Sequence, residues 1–366
     1  RFLFGCNIFA LKPGDESERQ LAYQQRFTSL LNYATLPFYW GQYEPEPGNK
    51  SEPRLRAMAE WCRAHGIVTK GHPLVWHEVY PRWADEQDIP ARELLEARVR
   101  EIASVFCGLV DIWDVINEST VSAADRFANG VGNWAREVGM VEIAAECMRW
   151  ARQAAPAATL VLNDYNVSPD FERQIEGVLA TDGRFDVIGI QSHMHAGEWP
   201  LARVWEVCET YKRFGLPLHF TETSVVSGEH VPAGTDFGRY RPSEWPTTPE
   251  GEERQRDYVE ALYTTLFSHS AVEAITWWDL PDGCWMNAPS GLVRADMTPK
   301  PAYERLLELV RGEWRTDQQV VTGAGGRASL AAFHGEYEVT DADTGAATAA
   351  VHTPGGEGEV QLVVSC

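Results

Sequence analysis

Short apolar or β-branched runs recur along the chain, each followed by a polar or glycine-containing turn and then by residues with helical periodicity. Eight runs have this character: Phe2 to Asn7, Tyr33 to Leu36, Ile67 to His72, Val110 to Asn117, Thr159 to Asn163, Asp186 to Gln191, Pro217 to Glu222 and Ala274 to Asp279. Between them lie segments rich in Ala, Glu, Arg and Leu, among them Arg54 to His65, Ala91 to Phe106, Val141 to Ala155, Asp170 to Thr181, Ala202 to Phe214 and Gly251 to His269. Strand alternates with helix throughout. The pattern predicts an α/β fold, a (β/α)8 TIM barrel, because parallel strands need covering helices and eight repeats close the sheet. An open doubly wound sheet is the rival architecture, but no G-x-G-x-x-G follows the first strand.

The rhythm changes after Trp314. Thr322 to Gly326 reads as a flexible link, and short alternating stretches follow at Glu336 to Val339, Thr348 to His352 and Glu359 to Val364. The expected organisation is a catalytic barrel over 1–315 and a small C-terminal β-rich appendage over 316–366. So short an appendage builds little core of its own, and it is expected to pack on the barrel or on a neighbouring domain outside this chain. Glycan binding is one role open to it. The first strand is already under way at Phe2, so further protein is expected before Arg1, and any signal peptide is removed or lies outside the chain.

Charge narrows the partners. Lys and Arg total 32 against 53 Asp and Glu, and the net charge of −21 repels nucleic-acid phosphates and anionic lipid surfaces. No run of about 18 apolar residues is present to span a bilayer. Neither nucleic acid nor membrane is an expected partner; a neutral ligand fits better. The seven cysteines show no C-x-x-C spacing, which argues against a zinc site or redox motif, and most sit among apolar neighbours as small core residues. No metal, phosphate-loop or cofactor signature is present, and no serine has a G-x-S-x-G setting.

In such a barrel the chemistry gathers at the C-terminal ends of the strands, where the βα loops open. Those ends carry His72 and Trp76 after the third strand, Asn117 and Glu118 after the fourth, Asn163 and Tyr165 after the fifth, Gln191 and His193 after the sixth, Glu222 at the seventh, and Trp278 and Trp285 after the eighth. Taken singly, each has a plain structural reading: a helix N-terminal carboxylate, a hydrogen-bonded imidazole, a core tryptophan. Six successive strands delivering such groups at one end point instead to a cleft with two carboxylates, tryptophan walls and amide and imidazole donors. Tryptophan faces stack on sugar rings, amides bond hydroxyls, and paired carboxylates supply acid and nucleophile or acid and base.

The strings GHPLVWHEVYPRW, WDVINES, LNDYNV, IGIQSHMH, HFTETS and GLVRADMTPKPAY, in this order, resemble glycoside hydrolase family 10, over about residues 2 to 310. The resemblance implies a retaining endo-β-1,4-xylanase with no cofactor, Glu118 as acid/base and Glu222 as nucleophile. It also implies Asn117 on the 2-hydroxyl of the sugar preceding the scissile bond, with His72 and Trp76 at the same subsite. Gln191 and His193 match residues that hold the nucleophile and its neighbouring hydroxyl, Trp278 and Trp285 match the roof of that subsite, and Asn163 and Tyr165 match the leaving-group side. For retention, the two carboxyl groups stand about 5 to 5.5 Å apart. A polymeric β-glycan substrate further implies a secreted or periplasmic protein; a monomer is expected.

Two departures concern the substrate. Where the family carries Glu-Asn and then Lys-Trp after the second strand, this chain reads Thr35-Leu36-Pro37-Phe38-Tyr39-Trp40; where it carries Asp two residues after the nucleophile, this chain has Ser224. Leu36, Pro37 and Phe38 then form an apolar cleft wall, or they pack away and Tyr39 supplies a hydroxyl. The alternatives are a β-glycosidase of altered specificity and a non-catalytic glycan-binding barrel.

Overall fold

The computed structural model describes residues 2–232, 234–235 and 239–352. By contacts the chain divides into a large unit, Leu3–Arg305, and a small one that holds the residues from Leu306 onward.

The large unit is a closed barrel. Eight parallel strands, β1 (Leu3–Asn7), β2 (Tyr33–Pro37), β3 (Val68–His72), β4 (Ile112–Asn117), β5 (Thr159–Asp164), β6 (Val187–Ile190), β8 (Leu218–Val225) and β9 (Val272–Trp277), pair in sequence. β6 pairs with β8 and β9 with β1 to close the ring. The two-residue β7 (His193–Met194) pairs with the far end of β8 through His193 and Ser224. The expected α/β barrel is the observed one.

Helices α1 (Glu18–Leu30), α3 (Glu52–Ala64), α5 (Ala91–Val105), α6 (Gly130–Ala154), α7 (Pro169–Leu179), α8 (Leu201–Lys212), α9 (Pro249–Ser268) and α10 (Pro301–Glu308) lie between or after the strands, with one-turn α2 (Trp40–Tyr43) and α4 (Arg82–Asp85) in the βα loops. Their starts are written locally: Ser168 caps α7 by accepting from the Asp170 amide with Pro169 following, and Thr248 caps α9 by accepting from Gly251. α6 begins before the segment expected from Val141, because Gly139 at φ 83° breaks it into two helical pieces. Among the described residues no helix is long and apolar enough to cross a membrane.

Inside the barrel Tyr33, Ile112, Val161, Val187 and Ala274 form an apolar cluster. Alternate residues along a strand share a face, so the same inner faces carry Lys70 and Asp114 one step nearer the mouth. Both are fully buried, and they pair at 2.6 Å. On the opposite face Gly71 makes room for the Trp113 ring, since a β-carbon there would stand 2.1 Å from it.

In the small unit β10 (Gly335–Thr340) and β11 (Ala347–His352) form an antiparallel hairpin whose turn is tied by Asp341, which accepts from the Asp343 and Thr344 amides. Most hairpin residues are exposed. The stretch Glu359 to Val364, expected as a further strand, lies outside the described residues.

Candidate active site

Asn117 and Glu118 are adjacent, yet both carboxamide and carboxylate join the same hydrogen-bonded group. A regular strand would send them to opposite faces. Two local distortions remove the conflict. β4 carries a bulge between Asp114 and Ile116, so two of its steps oppose one on β5 and the inward phase passes from Asp114 to Asn117. Glu118 then adopts φ 52°, a left-handed conformation costing a non-glycine residue about 1 to 3 kcal/mol. β8 has its own bulge between Phe220 and Thr223, where Thr221 and Glu222 oppose one residue of β9.

Three amides connect the carboxylates. Asn117 Nδ2 and Gln191 Nε2 each donate to Glu118 Oε1 at 3.0 Å, and Trp76 Nε1 donates to Oε2 at 3.2 Å. Asn163 Nδ2 donates both to Asn117 Oδ1 at 2.7 Å and to Glu222 Oε1 at 2.8 Å, while Gln191 Nε2 also reaches Asn117 Oδ1 at 3.2 Å. Thr221 donates to Asn163 Oδ1 at 2.5 Å, which fixes that amide's orientation. Gly189 supplies the room, since a β-carbon there would stand 2.6 Å from Asn163 Oδ1.

The two carboxyls sit in opposite electrostatic settings. Burial raises the pKa of Glu118, and with the charges of Glu222, Asp164 and Glu78 it is pushed up to about 8, against the hydrogen bond from Gln191. Burial would also raise Glu222, but His72, the hydrogen bond and charge of His193, and Lys70 outweigh it and hold Glu222 below the usual carboxylate range. His193 Nε2 lies 3.3 Å from Glu222 Oε2, and its Nδ1 meets the Ser224 hydroxyl at 3.0 Å. His72 Nε2 is 3.9 Å from Glu222 Oε1 and its Nδ1 is 2.7 Å from Asp114 Oδ2. A buried line of alternating partners thus runs from Lys70 through Asp114 and His72 to Glu222. Burial opposes the ionised Asp114 too, but Lys70 and His72 hold its pKa below the ordinary value.

Aromatic rings stand around this centre. Trp278 meets His72 at 5.4 Å, Phe9 at 5.4 Å and His193 at 6.0 Å, edge to face in each case, and Trp285 lies 4.3 Å from the His193 ring. The loop bearing these tryptophans is tied down by Lys300, fully buried, whose Nζ reaches Asp282 at 2.6 Å, Ser227 at 2.8 Å and the Gly291 carbonyl at 3.0 Å. Lys300→Met leaves Asp282 without its cation and is expected to cost about 3 to 5 kcal/mol in urea unfolding.

The structure brings His72, Trp76, Asn117, Glu118, Asn163, Gln191, His193, Glu222, Trp278 and Trp285 together as the strand-end positions imply; Tyr165 stands at the rim, 43% exposed. Two details differ from what the resemblance implies. Asn163 is fully buried beneath the carboxylates and not on an open leaving-group side. Gln191 bonds Glu118 and Asn117, not Glu222, because its amide faces the end of β4. Of the two arrangements open for the stretch after the second strand, the structure has the second: Leu36 and Phe38 are fully buried, Phe38 against Phe106 and Trp113, and Tyr39 is the residue of that stretch that reaches the mouth.

Sequence reading missed Lys70, Asp114, Phe9 and Asp164. Asp164 accepts from the Thr120 amide and hydroxyl at 3.1 and 3.0 Å, fastening the chain just past Glu118. It also missed the pair in which Asn7 Nδ2 donates to Asp279 at 2.9 Å, beneath the Trp278 loop. The spacing of Asp114, two residues beyond the inward Ile112, was the available signal.

The sequence profile of glycosyl hydrolase family 10 matches residues 5–309. An endo-1,4-β-xylanase B from Thermotoga neapolitana is 25% identical, over 84% of this chain and 87% of that protein. An endo-1,4-β-xylanase A from a Caldicellulosiruptor strain is 25% identical, over 72% of this chain but only 40% of that longer protein. Among solved structures, xylanase 10B from Thermotoga petrophila in complex with xylobiose superposes with a TM-score of 0.69 at 22% identity, covering 85% of this chain and 94% of that one. With the profile matched from the first strand to the last helix of the barrel, the chain belongs to glycosyl hydrolase family 10.

Proposed function

We propose that the protein is a retaining endo-1,4-β-xylanase that cleaves internal bonds of xylan or substituted xylan, with Glu118 as acid/base and Glu222 as nucleophile. The observation that carries this reading is the opposed setting of two carboxyls coupled by one amide network: Glu118 is pushed up to about 8 while Glu222 is held low. A protonated acid and an ionised nucleophile therefore coexist near neutral pH.

In the first step Glu222 attacks the anomeric carbon while Glu118 gives its proton to the glycosidic oxygen; the C–O bond breaks and the aglycone leaves as an alcohol. The product is a glycosyl ester on Glu222, whose negative charge is now consumed. The Glu222 charge that helped raise Glu118 is then gone, and Glu118, ionised, takes a proton from water as that water attacks the anomeric carbon and the ester bond breaks, releasing the Glu222 carboxylate. The sugar departs with its β configuration, and both carboxyls return to their starting states. Asn117, Asn163 and Gln191 keep the carboxyl oxygens oriented, and Trp76, Trp278 and Trp285 offer faces to the sugar rings. Because polymeric xylan does not enter cells, the protein acts outside the cytoplasm.

Proton NMR of a fresh digest tests the reading directly. On a panel of xylan, arabinoxylan, glucan and mannan, xylan or arabinoxylan is expected to be cut fastest, with β-anomeric reducing ends appearing before mutarotation and internal cleavage shortening the chains early. Initial α-anomer would sink the double displacement; preference for glucan or mannan would sink the substrate assignment.

A further inference from the structure

Tyr39 is the one residue between Thr35 and Trp40 with a partly exposed side chain: Thr35, Leu36 and Phe38 are fully buried, Trp40 is 6% exposed and Pro37 is buried. Its ring meets His72 edge-on at 5.3 Å, lies 5.5 Å from Trp76, and takes the edge of Phe9 at 5.8 Å. His72 is the neighbour of Glu222 and Trp76 donates to Glu118. Tyr39 is therefore packed against one direct contact of each carboxylate, which sets it at the reacting centre and not at the periphery of the cleft.

Its hydroxyl is uncommitted. It forms no hydrogen bond within the described residues and is not among the buried polar atoms, so it faces the open mouth. Burial keeps the phenol proton in place, and so do the charges of Glu222, Asp279, Glu118 and Asp114, which hold its pKa well above the tyrosine range. Such a group is a neutral donor at every pH at which the site works. A ligand rich in hydroxyls supplies the acceptor that the protein does not.

We propose that Tyr39 is a substrate-contacting residue, its hydroxyl donating to a hydroxyl of the sugar whose glycosidic bond is cleaved. This rests on the function proposed above. It makes that side of the site select by the position of a hydroxyl, through an uncharged donor, in a stretch that supplies no charged or amide group.

The test compares wild type with Tyr39→Phe, which removes one oxygen and leaves the ring packing. Substrates are an aryl β-xylobioside and its analogues lacking the 2- or the 3-hydroxyl of the sugar at the bond, with calorimetric titration of xylotetraose alongside. Tyr39→Phe is expected to lower kcat/KM about 10- to 100-fold on the parent glycoside, to weaken xylotetraose binding several-fold, and to leave the melting temperature unchanged. For one deoxy analogue the wild type should lose a similar factor while Tyr39→Phe loses no more. Kinetics and binding within twofold of wild type would overturn the proposal, as would losses from mutation and deoxygenation that multiply independently for both analogues. If the wild type binds xylotetraose without cleaving any xyloside, the functional reading fails, and the binding difference between the two proteins still decides the role of Tyr39.

Discussion

Glu222→Ala is expected to lower turnover of xylan by about 10⁴-fold or more, as removal of a covalent nucleophile does when nothing else can form the intermediate. Circular dichroism should remain that of the folded barrel, since the deletion opens space at the mouth and leaves the Lys70–Asp114 pair and the closed sheet in place. A second readout separates loss of chemistry from loss of structure. In the alanine variant a small anion such as azide has room where the carboxylate stood, and with an activated aryl xyloside it should attack from that side. The product is then the α-glycosyl azide, of inverted configuration. A β-azide, or activity within tenfold of wild type, would remove Glu222 from the nucleophile's role.

Glu118→Ala should behave differently because the acid matters in proportion to the leaving group. On xylan the loss is expected at about 10² to 10⁴-fold, the usual span for general acid–base catalysis. An aryl glycoside with an acidic phenol needs no proton to leave, so its first step should be nearly unimpaired and the glycosyl-enzyme should accumulate. Azide then attacks that intermediate and gives the β-glycosyl azide, the opposite outcome to Glu222→Ala. In the wild type, activity should fall as pH rises through about 8, where Glu118 loses its proton, and fall on the acid side only below the ordinary carboxylate range, where Glu222 gains one. The alkaline limb should vanish for the aryl glycoside in Glu118→Ala.

The same proton affects stability. The folded pKa of Glu118 lies above its unfolded value of 4.5, so between about 4.5 and 8 the unfolded chain releases a proton that the folded protein keeps. The penalty is absent below that window, grows across it and is complete above it. Glu118→Gln, which cannot ionise, is therefore expected to melt a few degrees higher than wild type at pH 8 and at the same temperature at pH 4. The enzyme gives up stability for a poised acid.

The barrel was legible because its signal is repetitive: eight buried strands need apolar runs, and their covering helices need a different period. Strand-end residues were legible for a related reason, since position relative to the end of a run is a one-dimensional fact. What escaped was everything set by contacts between strands. Lys70 and Asp114 sit inside apparently apolar runs, and only the closed ring makes them partners. Phe9 and Tyr39 meet although α1 and β2 separate them in sequence, so no spacing rule links them. For Leu36 and Phe38 hydrophobicity left a cleft wall and inward packing both open, because it cannot say on which side of a strand a residue packs; the structure has them buried. Ser224 was marked as a departure, yet its hydroxyl does reach His193. A two-residue strand such as β7 leaves no period to detect.

The bulges in β4 and β8 also constrain how this sequence can vary. Each inserts one residue between the barrel wall and a carboxylate, and the alternation of faces beyond that point depends on it. A single-residue deletion at Val115 would keep every functional side chain in order, yet turn the following residues half a period away from the cleft; one at Thr221 would do the same to Glu222 and also remove the hydroxyl that orients Asn163. Substitutions around the site are read by the chemistry of the side chain, whereas deletions are read by parity. A β4 shortened by that one residue is therefore expected to lose the active centre without losing any of its residues.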